Sequence, residues 1–144
     1  MSTEKVIANT LRIAFADLSG AKLLAAADNR NAPYLCEQAA EKLIRAVLTS
    51  EGIPAGTGHM LAEMVKKLPD ANPVKPALAA LADLAGYATA YRYSTSSRIP
   101  PSPSARELAE DLARVESALN DIAARFGVEL DLPNAPARNP EPFR

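Results

Sequence analysis

Apolar residues recur at helical spacing through most of the chain, and the densest pattern lies at Pro33–Leu48, PYLCEQAAEKLIRAVL. Cys36, Ala40, Leu43 and Val47 are spaced four, three and four apart, which places them on one helix face. Ile44 and Leu48 widen that stripe, and Leu35, Ala39 and Ala46 add apolar cover beside it. A helix apolar on more than one side is the central rod of a bundle. Its remaining face carries Glu37, Glu41 and Arg45, with Glu41 and Arg45 in the favourable order for an exposed helical pair.

Four more helices are predicted around this rod. The first runs from about Thr3 to Ala27, with Ile7, Leu11, Ala14, Leu18, Ala21 and Ala25 inward. Gly20 interrupts it at a cost of roughly 1 kcal/mol relative to Ala; it either admits a close neighbour or marks a kink. A short third helix covers His59 to Leu68, and Pro69, Pro73 and Pro76 make LPDANPVKP a loop. The fourth helix spans about Pro76 to Tyr93, and STSSRIPPSPS after it reads as a linker. Ser104-Ala-Arg-Glu107 is a capping box opening the fifth helix. There Leu108, Leu112, Val115, Leu119, Ile122 and Phe126 alternate four and three before Gly127 ends it. That repeat has the period of a coiled-coil seam, but packing across the bundle is its expected use.

Composition agrees with an all-α chain, since its 144 residues are 48% apolar and only 5% aromatic, without Trp. The core is therefore built from Ala, Leu, Ile and Val, and the Ala-rich runs favour helix. Residues 1–127 form the helical domain, and 128–144 are a Pro-rich tail expected to be disordered or draped on the surface. A net charge of −1 selects neither nucleic acid nor membrane by its global field. One Cys, no uninterrupted apolar leader and no long apolar run point to a soluble, cytoplasmic protein.

Candidate chemistry is sparse. One His and one Cys exclude multi-His and thiolate metal sites, so no metal and no cofactor are expected. No base accompanies the linker hydroxyls, so a nucleophilic triad has no support and no catalytic residue is assigned. Cys36 falls on the buried stripe and reads as core. The distinctive window is Leu84–Arg106, which has no Asp or Glu and carries Arg92, Arg98 and Arg106 with Tyr87, Tyr91 and Tyr93. Arg holds phosphate and Tyr stacks on a base. The plainer alternative is an Arg closing its own helix end, with half-buried tyrosines.

Three pieces in order, EQAAEKLIRAVL, GHMLAEMV and TAYRYS, resemble the HEPN family (higher eukaryotes and prokaryotes nucleotide-binding), over roughly Val6 to Phe126. The resemblance implies an up-and-down four-helix bundle with an additional short helix, five helices in all, that forms a homodimer. It also implies association with a minimal nucleotidyltransferase in a toxin–antitoxin pair, and in some members metal-independent ribonuclease activity. That activity uses an Arg followed, after four to six residues, by a His. Here the positions counted from Arg92 are Ser97, Arg98 and Ile99, and the single His59 stands at the Gly-His pair opening the third helix. The expectation is a non-catalytic binder of nucleotide or RNA phosphate, with Arg92 on phosphate and Tyr91 or Tyr93 stacking. Arg98, His59, Arg45 and Glu41 are secondary candidates. The alternatives are a divergent endoribonuclease and a purely structural interaction module.

Overall fold

The computed structural model describes residues 2–58, 60–89 and 99–144, and these are all helical or irregular. The order is α1 (Thr3–Ala26), α2 (Ala32–Ser50), α3 (Leu61–Lys66), α4 (Lys75–Ala80), a 3-10 helix (Ala82–Ala88) and α5 (Ala105–Phe126). The chain is an all-α helical bundle, as its pattern predicts.

α1 and α2 form an antiparallel hairpin joined by a short turn, a connection that favours neighbouring antiparallel helices. The pairing is visible in Lys42 Nζ donating to Asp17 at 2.6 Å and in Gly20 lying opposite Leu35. A methyl group on Gly20 would come within 3.1 Å of Leu35 Cδ1. α1 continues through this position, and the glycine serves close approach to α2.

α2 is the central rod, buried along Cys36, Ala39, Ala40, Leu43, Ile44, Ala46, Val47 and Leu48. α5 packs against α1 and α2 through Leu108, Leu112, Val115, Leu119, Ile122 and Phe126. Its ends follow the sequence: Glu107 N–H donates to Ser104 Oγ at 3.1 Å, and Gly127 closes the helix at φ 65°.

The fourth element departs from expectation. In place of one helix from Pro76, α4 stops at Ala80 and the chain tightens into the 3-10 helix. Leu81 N–H donates to Leu78 O and Leu84 N–H to Leu81 O, both at 3.0 Å. Three residues per turn put every third side chain on one line. Leu78, Leu81, Leu84 and Tyr87 are spaced by three, and all four are buried. Residues 90–93, the remainder of the expected helix, lie outside the described residues.

The tail 128–144 lies against the bundle. Ala137 N–H donates to Glu4 O, and Asn139 N–H to Phe126 O. Phe143 packs on Phe126 in a tilted arrangement with ring centroids 4.4 Å apart, and Arg125 sits 5.6 Å from the Phe143 centroid. Backbone bonding and ring burial together hold a segment too polar to form a core of its own.

Candidate functional site: a clamp on the Gly-His loop

The charged face of α2 is not a solvated one. Glu37 is fully buried and Glu41 is 3% exposed, because the 3-10 helix and α3 pack over α2 there. Buried carboxylates need donors. Gln38 Nε2 donates to Glu37 Oε2 at 2.9 Å, and Arg45 donates to Glu41 Oε1 at 3.2 Å. The expected exposed pair is therefore an internal one, since the covering elements come from about 20 or more residues further along the chain.

Arg45 does more than neutralise Glu41. Its guanidinium donates to Gly56 O at 3.0 Å and to Gly58 O at 3.3 Å. One planar fork thus joins a helix carboxylate to two carbonyls of the loop that leads into His59. Loop carbonyls have no partners within their own segment, and Arg45 supplies them. The clamp holds Glu41, Arg45 and Gly58 together. Beside it, Gly56, Gly58, Met60, Met64 and Lys67 line a cavity of about 190 Å³. Lys67 Nζ also donates to the loop, to Pro54 O at 3.4 Å and Ala55 O at 3.5 Å.

The other loop lysines are engaged locally. Lys66 pairs with Glu63, and Lys75 pairs with Asp70 and donates to Leu68 O at 2.6 Å. His59, Tyr91, Arg92, Tyr93 and Arg98 lie outside the described residues. Of the candidates from sequence, the structure brings Glu41 and Arg45 into contact and sets both against the position preceding His59.

A second polar cluster lies on α5. Asp111 of α5 accepts from Tyr87 OH at 2.6 Å and from Arg114 at 2.7 Å. It stands close enough to α2 that, after burial itself, its charge and that of Glu37 push the Cys36 thiol up to about 12. The signal lies in the sequence as Tyr87, the last member of a three-residue repeat that a helical period spreads over two faces.

A family model, the HEPN domain, matches residues 7–124. The chain belongs to the HEPN family. Membership carries a nucleotide- or RNA-related function at the level of the family. No curated protein and no solved structure matches the chain. In this HEPN domain the matched span begins in the first turn or so of α1, includes α2, α3, α4 and the 3-10 helix whole, and ends in the last turn of α5, short of Gly127 and the tail. Among the described residues no helix is long and apolar enough to cross a membrane. Among the same residues no group of three or more His, Cys, Asp or Glu is placed to hold a metal ion.

Proposed function

We propose that this HEPN domain is a non-catalytic, cytoplasmic binder of nucleotide or RNA phosphate, acting as a homodimer beside a minimal nucleotidyltransferase of toxin–antitoxin type. Arg92 contacts phosphate and Tyr91 or Tyr93 stacks on the base. Arg98 and His59 extend the site, and Glu41 and Arg45 support it from α2. The observation that carries this reading is the clamp, which spends an Arg and a buried carboxylate on fixing the backbone next to His59. Ordering a loop so firmly against a helix is what a preorganised binding edge requires. The acid-free run Leu84–Arg106 supports the anionic ligand through Arg92 and Arg98, which have no carboxylate near them in sequence, while Arg106 pairs with Glu110 of α5. The spacing around Arg92 lacks the His that would carry a proton in cleavage, which supports binding over turnover.

A thermal-shift titration with ATP and with a short RNA oligonucleotide tests this, run on the wild type and on Arg92→Ala. The expected result is a concentration-dependent rise in Tm for the wild type, absent in Arg92→Ala, with the RNA intact. Cleaved RNA would replace binding with endoribonuclease activity. No shift and no cleavage would overturn both and leave an interaction module.

A further inference from the structure

Between the 3-10 helix and α5 lies a cavity of about 220 Å³. Its buried lining is the polar pair Tyr87 and Asp111, 8% and 9% exposed, in which the phenol donates to the carboxylate at 2.6 Å. Two charged side chains from opposite walls border the same cavity, Asp83 of the 3-10 helix and Arg114 of α5. Asp83 is exposed and takes part in no hydrogen bond or ion pair among the described residues. Arg114 gives one nitrogen to Asp111 at 2.7 Å, and its side chain is 54% exposed. A guanidinium has five N–H donors, so this bond fixes the group and leaves donors for a second partner. Leu81 and Leu84 add apolar lining. Apolar walls with a few convergent polar groups, set between packed helices, are the common form of a small-molecule site.

We infer that this cavity takes a guanine base. The inference rests on the nucleotide or RNA reading above and names the base. Pockets for whole drug-sized ligands start at about 300 Å³, so this smaller one suits a single ring system and not a complete nucleotide. Its charge turns phosphate away, because Asp83 and Asp111 face one guanidinium. The phosphate is left outside for Arg92. The choice among bases follows from donors and acceptors. Guanine carries the acceptors O6 and N7 on one edge, the pair that an Arg binds with two N–H groups. Its Watson–Crick edge carries the donors N1–H and N2–H₂, which suit a carboxylate with two oxygens. Arg114 and Asp83, on facing walls, therefore match guanine on two edges at once. Adenine turns an N6 donor towards the Arg and an N1 acceptor towards the carboxylate, a mismatch at both. Cytosine and uracil each offer the carboxylate a single donor group. Leu81 and Leu84 supply the apolar contact that the ring needs.

Isothermal titration of the full-length protein with GMP, IMP, AMP and guanosine tests this. GMP should bind at least about tenfold more tightly than AMP. IMP keeps N1–H, O6 and N7 but lacks the 2-amino group, and it should bind a few-fold more weakly than GMP. Asp83→Asn replaces one acceptor by a donor at an exposed position, so the variant should fold. It should bring GMP to within a few-fold of AMP. Arg114→Lys keeps a cation beside Asp111 but loses the fork, and it should weaken GMP by about tenfold. Equal affinity for GMP and AMP in the wild type, or a GMP preference that survives Asp83→Asn, would overturn the guanine pocket. If that equal binding were also lost in Arg92→Ala, the phosphate reading would stand without the pocket. Guanosine bound as tightly as GMP, and unaffected by Arg92→Ala, would sink the phosphate reading and leave the pocket standing. No binding of any of the four would overturn both.

Discussion

Arg144 holds Glu51 in a two-pronged ion pair, Nη1 to Oε2 at 2.7 Å and Nη2 to Oε1 at 2.9 Å. Glu51 is the residue that caps α2, and its Oε2 also accepts from Asn72 Nδ2 at 2.9 Å. The tail, the end of the central helix and the proline-rich loop therefore meet at one carboxylate.

The Arg144 guanidinium, and Asn72 with it, holds the Glu51 carboxyl below its usual range, so the native state favours the ionised form. A depressed carboxylate contributes stability above its unfolded value, about 4.3, and loses it as pH falls through the lowered native value. Arg144→Ala should therefore lower Tm by roughly 2–4 °C at pH 7. The gap between variant and wild type should close towards pH 3, and thermal melts across that range check it. A gap that stays constant with pH would mean that Glu51 is not the linked group.

Gly127 stands at φ 65°, and a methyl group there would meet Arg138 Cβ at 2.9 Å. Gly127→Ala should therefore cost about 2 kcal/mol, from left-handed backbone strain and a displaced tail. Gly52, at φ 71° with open space around it, isolates the strain alone, and Gly52→Ala should cost about 1 kcal/mol. Urea unfolding of the two variants measures the difference.

At the end of α1 the same left-handed turn is made by Asp28, at φ 54°, where Asn29 N–H donates to Leu24 O at 2.8 Å and Asp28 N–H to Ala25 O at 3.0 Å. An L side chain is strained in that conformation and glycine is not. Asp28→Gly should stabilise the fold by roughly 0.5–1 kcal/mol in the same urea experiment.

Removing the clamp should be costly. Arg45→Ala deletes the donors to Gly56 O and Gly58 O and leaves the 3% exposed Glu41 without its Arg. The expected loss is about 2–3 kcal/mol. Hydrogen exchange should rise at residues 53–58 before it rises in α2. Arg45→Lys should recover only part of this, since a single ammonium does not reproduce the planar fork.

Cys36 is fully buried and its thiol is pushed up to about 12 by burial first, then by Asp111 and Glu37. It should resist a disulfide reagent at pH 8 in the native protein and react within seconds in urea. Native-state labelling should follow global unfolding, and fast labelling of folded protein would contradict the burial.

The helical bundle was legible because α1, α2 and α5 bury one apolar stripe each, and Ser104 and Gly127 mark α5 by local chemistry. The fourth element was not, because Leu78, Leu81, Leu84 and Tyr87 fit a 3-10 period that a helical reading spreads over two faces. The polar site was half legible: the i, i+4 spacing of Glu41 and Arg45 makes them a pair, yet says nothing of what covers them. By itself the sequence determined which segments coil and which side of each is apolar, since these follow from propensity and periodicity within a turn or two. Only the tertiary structure decided that Glu37 and Glu41 are interior, that Arg45 ties down the loop before His59, and that the tail closes on Glu51. Those outcomes depend on contacts between residues 11 to 93 positions apart, and local propensity carries no information about such partners.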